Sequence, residues 1–129
     1  MRRLFLVAVV ALALPALALA AGQAMTPVVS AKLKGTNEVP DKGDPNGVGF
    51  VVVTFKAAKG STCWEFKNVG KIGAPAAAHI HKGRSGVAGP VVIPFGTAYK
   101  AKGCQAAKKG LIEVIETNPN RFHVNIHNA

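Results

Sequence analysis

From Val28 onward the chain is written in short runs of alternating apolar and polar residues, separated by turn-forming clusters. Val28 to Leu33 alternates at period two and predicts a first strand. Phe50-Val51-Val52-Val53-Thr54-Phe55 is β-branched and aromatic on both faces, which predicts a strand in the middle of a sheet. Lys59-Gly60-Ser61 is a turn at hairpin spacing, and Thr62 to Lys67 forms the next strand. There Trp64 and Phe66 share one face as core candidates, while Cys63, Glu65 and Lys67 share the other. Ala76 to His81 places Ala78 and Ile80 on one side and His79 and His81 on the opposite side. Val91 to Phe95 is a further short strand, and Phe122 to His127 is the last, with Phe122, Val124 and Ile126 opposed to His123, Asn125 and His127.

The intervening stretches read as connections. Asp44-Pro45-Asn46-Gly47 and the segment from Gly70 to Pro75 carry turn signals, and Gly96 to Gly110 is polar and bounded by glycines. Leu111 to Glu116 fits two patterns. Its apolar residues Leu111, Val114 and Ile115 stand at i, i+3 and i+4, which favours a short helix ended by Asn118-Pro119. Six or seven short strands and one short helix before the last of them predict an all-β sandwich or barrel. No internal repeat interrupts this pattern.

Residues 1–20 stand apart. Arg2 and Arg3 precede an apolar stretch from Leu4 to Leu14, then Pro15 and the small-x-small sequence Ala18-Leu19-Ala20. This order predicts a signal peptide cut after Ala20, so that no transmembrane segment remains; the competing reading is an uncleaved anchor. The 129-residue chain carries a formal charge of +10, and removing the leader leaves +8. The lysines are scattered and read as solvated strand faces and loops, with electrostatic attraction to an acidic surface polymer or membrane as the alternative. Export, and the lack of a basic run interleaved with aromatics, argue against nucleic acid as a partner. A periplasmic or secreted location makes the two cysteines, Cys63 and Cys104, a single expected disulfide; the alternative is a buried thiol pair.

All four histidines lie in two of the predicted strands. His79 and His81 project from one face of one element, and neutral imidazole suits copper and zinc. If the last strand lies beside them, His127 is a candidate third ligand and His123 a weaker fourth, with ring nitrogens converging to within about 4 Å around metal–nitrogen bonds of about 2 Å. Glu38 and Asn125 are candidates for orienting a ligand ring. The alternative is a hydrogen-bonded cluster of His79, His81, Asn125 and His127 without an ion. Asp41 and Asp44 are the only aspartates, so a bimetallic site is not expected. Ser85 near His81 lacks an acid to orient a base, and no paired catalytic carboxylates are evident, so no catalytic residue is assigned.

Three stretches carry a resemblance to a known family. Gly35-Thr36-Asn37-Glu38-Val39-Pro40, the run from Ala78-His79-Ile80-His81 through Gly83, Gly86 and Gly89-Pro90-Val91-Val92, and Phe122-His123-Val124-Asn125-Ile126-His127 together resemble the CHRD domain, first described in chordin. The likeness extends over residues 28–129. It implies an immunoglobulin-like β-barrel distantly similar to copper/zinc superoxide dismutases, and no general biochemical activity. Members continue past the late histidine into a Pro-Gly-Glu-Ile-Arg-Gly strand. This chain reads Asn128-Ala129 there, so an open sheet edge, or one covered by another molecule, is expected. His123 stands where members tend to carry an aromatic residue. The resemblance implies an exported, single-domain, non-enzymatic binding module for a protein, polymer or small-molecule ligand. The second reading is a mononuclear copper or zinc protein, redox-active in the copper case.

Overall fold

The computed structural model describes residues 25–128; the expected leader, residues 1–20, lies outside them. Seven strands and one helix follow in order: β1 (Val28–Lys34), β2 (Val48–Lys56), β3 (Ser61–Gly70), β4 (Pro75–Lys82), β5 (Val91–Pro94), β6 (Lys102–Ala106), α1 (Lys109–Thr117) and β7 (Phe122–Asn128). They form two antiparallel sheets, one ordered β1-β2-β3-β6 and the other β5-β4-β7. No helix among the described residues is long and apolar enough to cross a membrane.

The apolar residues at every second position meet between the sheets. Val51, Val53 and Phe55 of β2 and Trp64 and Phe66 of β3 face Ala78 and Ile80 of β4 and Ile93 of β5. β2 is central, as its doubly apolar sequence predicts. Trp64 stacks on Phe95, 4.5 Å between ring centroids and 5° from parallel, and Phe66 tilts against Phe95 and Tyr99. The Trp64 indole nitrogen donates to the Lys100 carbonyl at 2.9 Å, so the polar end of this buried ring is satisfied. Helix α1 closes one end of the core with Ile112 and Ile115, and Val114 of the same apolar pattern stays exposed.

One expectation needs correcting. Gly96 to Gly110 is not all connection, because Lys102–Ala106 pairs with β3 as the edge strand β6. Its inward positions are Gly103 and Gln105, opposite Trp64 and Thr62, so the apolar half of the alternation is missing. Gly103 is small for a reason: a Cβ there would lie 2.8 Å from the Trp64 ring. Strand β6 also puts Cys104 directly across from Cys63, and the two form a disulfide on the outer side of the sheet.

Among the described residues β1 and β7 are both sheet edges. Between them a cavity of about 500 Å³ reaches in toward Ile80, with Val29, Ala31, Phe122 and Val124 along its walls.

The disulfide joins residues 41 apart, tying an edge strand that contributes little apolar surface to the rest of its sheet. Replacing both cysteines by serine is expected to cost about 3–4 kcal/mol, from the greater freedom of the unfolded chain. Urea denaturation of the two proteins measures this as a lower midpoint with a steeper slope, because the uncrosslinked unfolded chain exposes more surface.

Candidate metal centre

The pairing of β4 with β7 builds the histidine face. His79 lies opposite Asn125, His81 opposite His123, and Ala77 opposite His127. Because Ala78 and Ile80 are committed to the core, His79 and His81 point away from it, onto the outer face of the three-stranded sheet. Ala77 offers only a methyl group beside His127, whose ring sits 5.0 Å from that of His79. His79 and His81 meet edge to face at 5.5 Å. One potential ligand nitrogen from each of His79, His81 and His127 lies within 4.8 Å of the others. Metal–nitrogen bonds of about 2 Å need ligand nitrogens within about 4 Å of one another, a tighter spacing than this one establishes.

The loop between β4 and β5 holds two of the rings. His81 Nδ1 lies 2.7 Å from the Gly89 carbonyl oxygen and His123 Nδ1 lies 2.8 Å from that of Gly83. A carbonyl only accepts, so Nδ1 is the donor in both rings, and in the neutral form of each ring Nε2 would carry the lone pair. Glycine is required at this approach: a Cβ on Gly89 would fall 1.7 Å from the Lys82 carbonyl oxygen. Gly83 and Gly86 turn the loop with φ of 125° and 80°, a region glycine enters readily. His123 stacks on His81, 5.1 Å between centroids and 10° from parallel. It thus belongs to the same face, but it is outside the group of three whose nitrogens converge.

Glu38 reaches the face through Asn125. The Asn125 amide nitrogen lies 3.0 Å from Glu38 Oε1 and 3.1 Å from His127 Nε2. A carboxylate accepts and an amide NH₂ carries two hydrogens, so one nitrogen donates to both partners and the orientation of the amide is settled. Glu38 itself is placed by the short helical turn Gly35–Asn37, where its backbone N–H donates to the Gly35 carbonyl. The sequence offers Glu38 either as a carboxylate that anchors its own loop or as a partner of a histidine ring; the register of β7 puts the buried Asn125 between Glu38 and His127.

Three polar atoms of this face are buried without a partner: His79 Nδ1, His81 Nε2 and Asn125 Oδ1. Burial is the main force on His79 and holds its pKa below the ordinary histidine value. The Asn125 side chain works in the opposite direction, and nearby His127 and His81 add a smaller repulsion against a second positive charge. The ring therefore favours the neutral form, which is the form that binds metal. Among the described residues no other group of three His, Cys, Asp or Glu side chains converges in this way.

No curated protein and no solved structure matches the chain. The family model of the CHRD domain matches residues 29–129, taking in both sheets, the glycine loop and every residue of the histidine face. The chain therefore belongs to the CHRD domain family.

Proposed function

We propose that this protein is an exported, non-enzymatic binding module whose ligand is one transition-metal ion, copper or zinc, held by His79, His81 and His127. The observation that carries the reading is the pair of buried, unpartnered ring nitrogens, His79 Nδ1 and His81 Nε2, on a face where a third imidazole converges. A buried acceptor without a donor costs about 1–3 kcal/mol, and a cation at the centre of the group would remove that cost for both rings. The donor set fits. Three neutral imidazoles, with no thiolate or carboxylate among them, suit copper and zinc better than magnesium or calcium. Three protein ligands leave a further position for water or an outside ligand, and copper would add a one-electron couple.

The neighbouring residues have clear parts in this arrangement. Gly89 holds His81 in the tautomer whose Nε2 is the acceptor, and Asn125, steadied by Glu38, donates to His127 Nε2, so binding an ion through that nitrogen would require the amide to release it. The disulfide and the order of charged, apolar and small residues in the leader support an oxidising, extracytoplasmic location. A second reading, a purely hydrogen-bonded polar cluster, is favoured by the Glu38–Asn125–His127 chain. It leaves His79 Nδ1 and His81 Nε2 unpartnered, which is why the metal reading is preferred.

Protein prepared from the periplasm without chelator, or stripped and titrated with Cu²⁺ or Zn²⁺ in a calorimeter, is expected to bind one equivalent. The His79→Ala/His81→Ala double variant should bind none at the same concentrations. Wild-type protein that is isolated without metal and takes up neither ion would refute the proposal. Glu38→Gln keeps the size of the side chain and removes its charge. Because glutamine keeps an acceptor for the Asn125 amide, metal binding should weaken by less than the about 10–100-fold of a lost orienting partner, while thermal melting of the metal-free protein changes little.

A further inference from the structure

The outer face of the four-stranded sheet lies on the far side of the sandwich from the histidines, and it carries an unusual rung. Register places Lys32 of β1, Phe50 of β2 and Lys67 of β3 side by side across three strands. All three are exposed, with Phe50 36% accessible at an outward position of a central strand. The inner face of β2 already supplies Val51, Val53 and Phe55 to the core, so the outward phenylalanine is covered only by its neighbours on the sheet surface and is left about a third open. Next along β2 on the same side is Val48, 41% exposed and opposite Lys34. On the other side Lys102 of β6 lies across from Glu65. Glu65 is the one acidic residue among these outward strand positions, and its carboxylate is 3.7 Å from Lys67 Nζ.

We infer that this face is a platform for an acidic polysaccharide. Strands stand about 4.8 Å apart, so the backbones of Lys32 and Lys67 are separated by about 9.6 Å with the Phe50 ring between them. A pyranose ring has one face lined by C–H groups, which an exposed phenyl ring can cover. A uronate or sulfated sugar also places its charges at the ring margin, within reach of flanking ammonium groups. Long lysine side chains adapt to a polymer whose charges repeat, and a net excess of Lys32, Lys34, Lys67 and Lys102 over Glu65 attracts it from a distance. An apolar membrane-inserting surface needs more than one aromatic residue in a field of lysines. The proposal stands apart from the metal reading, since the two sites are on opposite outer faces and share no residue.

The test uses the whole folded protein and three immobilised polymers: polygalacturonate, heparin and neutral dextran. Wild-type protein should bind the two acidic polymers and not dextran. Phe50→Ala should weaken binding about tenfold, equivalent to about 1.4 kcal/mol. Lys32→Gln/Lys67→Gln should abolish it at moderate salt, whereas Lys59→Gln/Lys108→Gln, with the same change of net charge, should bind as wild type. Circular dichroism of each variant verifies the fold. Failure to bind either acidic polymer would overturn the proposal. So would equal losses from the two lysine pairs, or undiminished binding by Phe50→Ala, because either result means simple ion exchange.

Discussion

The packing of Ala78 and Ile80 into the space between the sheets is the constraint on which the histidine face depends. A strand has two sides, so burying those two residues leaves His79 and His81 no direction except outward. The antiparallel partner then has one register that also buries Val124 and Ile126 against the core, and in that register His127 and Asn125 arrive beside His79. A shift of one residue would turn every imidazole of β7 inward. The site is therefore a by-product of core packing in its position, and a product of specific hydrogen bonds in its detail.

Those hydrogen bonds act on tautomer and rotation. Backbone carbonyls of the glycine loop take the Nδ1–H of His81 and of His123, leaving both Nε2 atoms as acceptors. His123 shows how little separates a ligand from a neighbour. It is stacked on His81 and held by the same loop, yet its position opposite His81 keeps it beside the converging nitrogens. Its ring is placed to shield one side of His81 from rotation. Asn125 plays a comparable part for His127, with Glu38 brought from the start of the chain by a tight turn.

Much of this was legible in the sequence because period-two alternation is a strong signal where both halves are present. β2, β3, β4 and β7 could be read this way, as could the outward direction of His79 and His81. β6 could not, because its inward side is Gly103 and Gln105 beneath the Trp64 ring. Its partner in β3 is nevertheless marked by the cysteine pair, which in hindsight locates the strand. Which histidines converge depends on the register of β4 against β7, and neither strand states it alone. The Glu38 contact through Asn125 spans 87 residues and had no local trace. The closeness of Gly89 to the Lys82 carbonyl was equally hidden, since a glycine in a loop reads first as conformational freedom.

The most direct measurement of the central claim is a long-range proton–nitrogen correlation spectrum of the imidazole rings during titration with Zn²⁺. The account predicts that ring signals of His79, His81 and His127 shift together and saturate at one equivalent, while His123 keeps its Nδ1–H tautomer throughout. Rings that respond independently, or a response centred on His123, would contradict it.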